Sequence, residues 1–269
     1  MAHKRRKKRK IFSPIYLTLV LIILYLPILM VVIYSFNAGR TSGTWQGFST
    51  QWYTRLFMNG LMADALKNSL LLAGLSSLLA GGVGTLGAIG LSRSHFRGAG
   101  AIESLATLPM MIPELVLGMA YLALFTGVGV KLGMGALVAT HTTFCVPYVF
   151  INVKSRLIGM DPAIEEAARD LGASPVRVLF DVTLPLIMPA VLSGMMLAVA
   201  MSIDDVVISF FVTSAETTTL PLKVYTGLRS GGTPEINALS TLMLGVIFVI
   251  VGLSQLLRAR SDKKLYASK

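Results

Sequence analysis

The chain has 269 residues, of which 54% are hydrophobic and only 14% charged, against about 25% charged in an ordinary soluble domain. That excess of apolar surface excludes a water-soluble globule and points to lipid as the solvent. The single cysteine, Cys145, rules out an intrachain disulfide, and the net charge of +11 asks where the basic residues lie.

Seven of them form an unbroken run, Lys4 to Lys10. Such runs can bind nucleic acid. Placed directly before a hydrophobic stretch, this one reads instead as an anchor that keeps its end in the cytoplasm and touches anionic membrane lipid, with no nucleic-acid partner. The stretch that follows, Ile11–Phe36, is too long for the apolar core of a signal peptide and ends in no convincing cleavage site, so it reads as a retained membrane helix.

A helix needs about 20 apolar residues to cross a bilayer. Six stretches qualify: Ile11–Phe36, Ser69–Leu91, Ser104–Val130, Leu132–Val153, Leu186–Val212 and Ile236–Leu257. The third and fourth are separated only by the turn signals Gly127, Gly129 and Gly133. The second carries Gly81, Gly84, Gly87 and Gly90 at every third position and Ala80, Gly84 and Ala88 at every fourth. That is a close-packing face, either internal or a seam with another subunit. With the N-terminus inside, 18 of the 24 basic residues fall on cytoplasmic segments and 6 outside. Both termini are therefore expected in the cytoplasm, and the fold class is all-α, with six transmembrane helices.

Two outside loops are long enough to fold. Residues 37–68 hold Trp45, Trp52, Tyr53, Leu56 and Phe57, the pattern of an interfacial helix with aromatic anchors. Residues 213–235 are rich in Thr, Gly and Pro and read as a connector or a partner surface.

Between the fourth and fifth spans lies the most polar internal segment, EEAARDLGASPVRVLFDVTLPL, Glu165 to Leu186. Asp161-Pro162 is a helix start, with Asp as cap and Pro at the first helical position. Glu165 and Glu166 favour the positive end of the helix dipole. Ala167 and Ala168 keep one face thin, and Leu171-Gly172 is a stop. Ser174-Pro175 starts a second helix expected to run to about Thr183, after which Leu184-Pro185 should redirect the chain into the fifth span. This is a helix-turn-helix on the cytoplasmic side, and spacing alone favours an ordinary amphipathic re-entry hairpin.

Ionisable groups inside spans are costly and face a partner or a wet cavity. The candidates are Glu114 in the third span, His141 in the fourth, and Asp204 and Asp205 in the fifth. By helical rise, Glu114 falls roughly 15 Å and Asp204 roughly 24 Å from the cytoplasmic end, and His141 roughly 12 Å from the outer end. No Lys or Arg within a span pairs with the acids, so the path suits a cation, with Met110, Met111, Tyr121 and Phe211 for its apolar part. Adjacent Asp204 and Asp205 point about 100° apart, so one faces a cavity while the other caps or bonds across an interface. His141, among Thr140, Thr142 and Thr143, reads as an interhelical hydrogen-bonding group. Glu114 after Pro113 either lines the path or satisfies backbone freed by the proline.

Glu166-Ala167-Ala168, then Gly172, then Val182-x-Leu184-Pro185, resembles the E-A-A-x3-G-x9-I-x-L-P signature of ABC-importer permeases, departing only in Val182 for Ile. The phrases LPMMIPELVLGMA (Leu108–Ala120) and SIDDVVISFFVT (Ser202–Thr213) are similar to the polyamine-importing branch, the putrescine-system subunits most of all. The resemblance implies a type I ABC-importer permease fold in a bacterial inner (cytoplasmic) membrane, spanning 11–257 between cytoplasmic tails 1–10 and 258–269. It implies a coupling segment within 154–185, in which Glu165, Glu166, Ala167, Ala168, Gly172, Leu184 and Pro185 engage a separate ATPase. The substrate path would hold Asp204, Asp205, Glu114 and Tyr121. The implied partners are a second homologous permease subunit, two copies of the ATPase and a periplasmic polyamine-binding protein. No cofactor, metal or catalytic residue is expected. No G-x4-G-K-[ST] phosphate loop occurs, the nearest segment, GLRSGGT from Gly227, lacking the lysine.

Other classes fit less well. An intramembrane aspartic protease needs G-x-G-D and acids on two helices. A serine protease needs a G-x-S-x-G serine. A channel leaves the E-A-A element without a role. An ion-coupled secondary transporter of organic cations would use the acids, yet no inverted repeat is evident.

Overall fold

The computed structural model describes residues 2–41, 43–94, 97–229 and 234–267; positions 230–233 of the Gly227 segment and Lys269 of the C-terminal tail lie outside them. The described residues form helices α1 (Ala2–Tyr34), α2 (Gln51–Met58), α3 (Gly60–Arg93), α4 (Ala99–Thr107), α5 (Glu114–Gly127), α6 (Met134–Ile158), α7 (Pro162–Asp170), α8 (Pro175–Val178), α9 (Leu184–Asp204), α10 (Val207–Val212), α11 (Leu220–Arg229) and α12 (Pro234–Ala267). Among them the one pairing of extended backbone is the bridge between Asn37 and Phe48. Among the described residues five helices are long and apolar enough to cross a bilayer, and a bent pair supplies a sixth candidate.

Two expected spans have a different form. The third is not straight: Ala99–Met110 and Glu114–Gly127 meet at 103°. Pro113 lacks an N–H and pushes Ile112 out of the helical region, so α5 begins afresh at Glu114. A depth counted along one continuous helix does not apply to Glu114. The fifth span breaks after Asp204, where Asp205 is extended (φ −66°, ψ 126°) and α10 starts two residues later. At its other end, Leu184-Pro185 does not turn the chain. Residues Pro175–Asp204 run as one helix, with a π turn over Leu179–Thr183 in which Leu184 N–H reaches the Leu179 carbonyl. The wider turn absorbs the donor that Pro185 cannot supply, so the proline is carried within the helix.

The chain divides into two compact units, Met1–Gly60 with Thr226–Leu244, and Leu61–Tyr225 with Gly245–Lys269. In the first, the loop after α1 is organised by buried Asn37. Its side chain donates to the Thr44 carbonyl at 2.7 Å and accepts from Gln46 N at 2.8 Å. Trp52 is not an interfacial anchor. It is buried, and its indole N–H donates to the Asn37 carbonyl at 2.7 Å. Leu56 is buried beside it on the same face of α2, one turn on, while Phe57 is exposed. Tyr53 shares a hydrogen bond with Ser35 at 2.7 Å.

The second unit has its core where α3, α6 and α9 meet, around Leu72, Leu137, Val149, Phe150, Ile187 and Ala198. Small residues set the approach. A Cβ on Gly84 would lie 2.9 Å from Val149 Cβ and 3.1 Å from Phe150 N, and one on Gly194 would lie 2.9 Å from Val149 Cα. The small-residue face of α3 is thus largely an internal seam at Gly81 and Gly84, whereas Gly90 faces open space. Beyond α10 the 213–235 segment is more than a connector, since it forms α11. The Leu220 N–H of α11 donates to Ser69 Oγ at 2.7 Å, tying it to α3. Between α5 and α6 the turn is made by Gly129 (φ +74°) and Gly133 (φ +139°), while Gly127 stays helical.

Candidate functional site

The polar segment folds as a short helix with two faces. Asp161 caps α7, its carboxylate accepting from Ala163 N at 3.0 Å. The helix ends in a Schellman arrangement: Ala173 N–H bonds the Ala168 carbonyl at 3.1 Å and Gly172 N–H the Arg169 carbonyl at 2.8 Å. Gly172 takes φ +85°, which a side chain would strain. Ser174 then caps α8. Outward from this element point Glu166, Ala167 and Leu171, with Ala168 half-buried. Exposed Ile164, Val176 and Phe180 extend the apolar part of that surface.

Glu165 behaves differently from its neighbour. Its carboxylate turns inward, 14% exposed, and accepts from Arg93 Nη2 at 2.5 Å and from the fully buried Thr183 hydroxyl at 2.6 Å. Arg93 also donates to Thr183 Oγ1 at 2.7 Å, closing a ring of three side chains from the end of α3, from α7 and from the π turn. Arg169 stands one turn on, 3.5 Å from the other carboxylate oxygen. Burial pushes the Glu165 carboxyl up, but the hydrogen bonds from Thr183 and Arg93 and the two guanidinium charges outweigh it, and the group is held below the usual glutamate range. Nearby, Lys154 of α6 pairs with Glu103 of α4, and Arg156 donates to the Leu186 carbonyl at the base of α9 at 3.1 Å.

The second cluster surrounds the break between α9 and α10. Asp205 is buried, and its two oxygens accept from Ile208 N at 3.1 Å and Ser209 N at 2.8 Å, capping α10. His141, fully buried on α6, stands 3.4 Å from the same carboxylate. Its ring nitrogens reach Ser202 Oγ of α9 at 2.8 Å and Ser209 Oγ of α10 at 3.2 Å. One imidazole therefore pins both sides of the break, matching the expected interhelical role. Asp204, one residue earlier, is exposed, as is Glu114 at the start of α5. Neither has an oppositely charged partner among the described residues. Glu114 lies within electrostatic reach of both aspartates, because α5 packs against α10 at Gly118, where a Cβ would be 2.6 Å from Phe211 Cδ2. Tyr121, one turn beyond Gly118, is half-buried, stacked 6.1 Å from Phe125 and in contact with the Thr143 hydroxyl.

Sequence reasoning singled out Glu165, and both Asp205 and His141, but not the partners of Glu165. Arg93 and Thr183 lie 72 and 18 residues from Glu165, and no local pattern links them. Among the described residues no cluster of His, Cys, Asp and Glu is arranged to hold a metal ion.

The family model for the binding-protein-dependent transport system inner membrane component matches residues 80–265. The chain is 44% identical over 239 residues to the spermidine/putrescine transport system permease protein PotC of Haemophilus influenzae, covering 89% of this chain and 93% of that one. It is 41% identical over 248 residues to the putrescine transport system permease protein PotI of Escherichia coli K12, covering 90% and 88%. Among solved structures it is similar to a chain of a bacterial ABC transporter involved in the import of the acidic polysaccharide alginate, with a TM-score of 0.72, 16% identity and coverage of 93% and 96%. A chain of the methionine ABC transporter MetNI gives a TM-score of 0.58 at 19% identity, covering 79% and 98%; at such identities the likeness is one of fold. By the extent of the family match and the identity to its relatives, this chain belongs to the inner membrane components of binding-protein-dependent transport systems.

Proposed function

We propose that this chain is the membrane-spanning permease subunit of an ATP-driven importer that carries a polyamine, putrescine foremost and spermidine second, from the periplasm to the cytoplasm. The observation that carries the reading is the two-faced α7: Glu166 and Ala167 exposed for a partner, Glu165 turned into the chain's own helices. Its relatives are permeases of spermidine and putrescine systems, and its unpaired acids at the α9 break and the head of α5 suit a cationic cargo.

Both termini lie in the cytoplasm. The tails 1–10 and 258–269 flank the permease domain 11–257, and α7 and α8 within 154–185 dock on a cytoplasmic ATPase. A second, homologous permease subunit completes the path, two ATPase copies hydrolyse ATP, and a periplasmic binding protein delivers the polyamine. Closure of the ATPases moves α7, and the cavity bordered by Asp204, Glu114 and Tyr121 opens alternately to either side. Asp205 shapes that cavity by holding the break, and Asp204 meets the ammonium group.

The test is putrescine uptake in cells expressing the assembled system, together with crosslinking from Ala167→Cys. Uptake should collapse on ATP depletion and survive loss of the proton gradient, and the cysteine should capture the ATPase. Uptake that follows the proton gradient instead would favour the ion-coupled reading.

A further inference from the structure

We infer that the Arg93–Glu165–Thr183 ring is the joint through which displacement of α7 reaches the membrane helices, and that Glu165 acts as a positioning residue and not as a contact for the ATPase. The inference rests on the coupling role proposed above and says which residues carry the motion.

The geometry is specific. Each of the three side chains comes from a different element: Arg93 from the last turn of α3, Glu165 from the first turn of α7, Thr183 from the π turn that opens into α9. Hydrogen-bond roles are fully assigned around the ring. Arg93 donates twice, to Glu165 Oε1 and to Thr183 Oγ1, and Thr183 spends its single proton on Glu165. The Thr183 oxygen also lies 3.3 Å from the Val178 carbonyl of the preceding turn. That contact is an alternative acceptor within the wider turn, so the π turn and the ring share one hydroxyl.

A push on the exposed face of α7 thus meets two helices through short charge-assisted bonds, on one side α3 and on the other the root of α9. The π turn is the compliant part of this assembly, because its backbone bonds are already displaced from the regular ladder. Glu165 and Glu166 are adjacent and chemically identical, yet only Glu166 faces outward. The two acids therefore divide the work: Glu166 for the partner, Glu165 for the permease's own helices.

The experiment uses the complete transporter, with both permease subunits, ATPase and binding protein, in proteoliposomes. Glu165→Arg, Arg93→Glu, the double exchange, Thr183→Val and Thr183→Ser are compared. Three quantities are measured: ATPase retained on the purified complex, ATP hydrolysed when loaded binding protein is added, and putrescine imported per ATP. Each single charge reversal and Thr183→Val should keep the ATPase bound and lower putrescine imported per ATP by about tenfold or more, the order expected for a lost charge-assisted hydrogen bond. The double exchange should restore most of that loss, and Thr183→Ser should match the parent.

The inference is overturned if the single variants keep parental coupling, if the double exchange gives no rescue, or if Glu165→Arg sheds the ATPase, which would make Glu165 a contact residue. A parent complex that never retains an ATPase would instead defeat the underlying functional reading, an outcome visible before any variant is made.

Discussion

Asp204 and Asp205 are neighbours in sequence with opposite surroundings, and replacing each should separate stability from transport. Asp205→Ala removes the two carboxylate oxygens that accept from backbone N–H groups at the head of α10 and that face buried His141. Loss of a helix cap costs about 1 kcal/mol, and leaving buried hydrogen-bonding groups without their acceptor about 1–3 kcal/mol. At roughly 2–4 °C per kcal/mol for a chain of comparable size, the melting midpoint of the purified complex should fall by on the order of 10 °C. Asp205→Asn keeps an acceptor and similar volume. It loses the difference between charged and neutral hydrogen bonds, about 1–2 kcal/mol, and should melt only a few degrees lower. Asp204→Asn touches no internal bond, so the midpoint should hold while the KM for putrescine rises roughly 10- to 100-fold, the worth of about 1.5–3 kcal/mol for a bond to an ammonium. The assays are scanning fluorimetry on the purified complex and concentration-dependent uptake in proteoliposomes. If Asp205→Ala leaves the midpoint unchanged and raises KM, Asp205 belongs to the path and the cap reading fails. Unchanged uptake in Asp204→Asn would remove Asp204 from the path.

Other consequences are as direct. Because the Glu165 carboxyl is held below its ordinary range, the unfolded segment binds more protons at low pH. The ring's stabilisation is then fully present above the usual glutamate pKa of about 4.3 and is lost as pH falls through the lower folded value. Hydrogen exchange of the α7 amides should be protected equally at pH 6 and 8 and rise only in strong acid; a transition near neutrality would contradict the ring. Gly172→Ala forces a side chain into φ +85° at about 1–2 kcal/mol, and should fray α7 and lower putrescine uptake while the complex still assembles, with Gly172→Asn milder. Gly84→Leu, starting 2.9 Å from Val149 Cβ, should prevent α3 from seating on α6 and reduce the folded protein recovered from membranes, whereas Gly90→Leu, which meets open space, should be recovered at the parental level.

What could be read from the residues was what lies close along the chain. The apolar lengths, the Asp161-Pro162 and Ser174-Pro175 starts and the Leu171-Gly172 stop are local chemistry, and the helices begin and end where that chemistry directs. The E-A-A spacing likewise pointed to the right family, because the element it describes is one short helix and its exit. Periodicity could not reveal which apolar stretches are bent. Pro113 and Pro185 carry the same missing donor, yet one breaks a span by 103° and the other is absorbed by a π turn. Nor could composition separate Glu165 from Glu166, or Asp205 from Asp204. Glu165 and Glu166 sit about 100° apart on α7, and Asp204 and Asp205 lie on the two sides of the α9 break; only the assembled bundle brings Arg93 and Thr183 to one acid and His141 to another. A carboxylate buried in a nonpolar bundle must be matched by donors from elsewhere, so tertiary packing decided which acids became internal bonds and which stayed exposed.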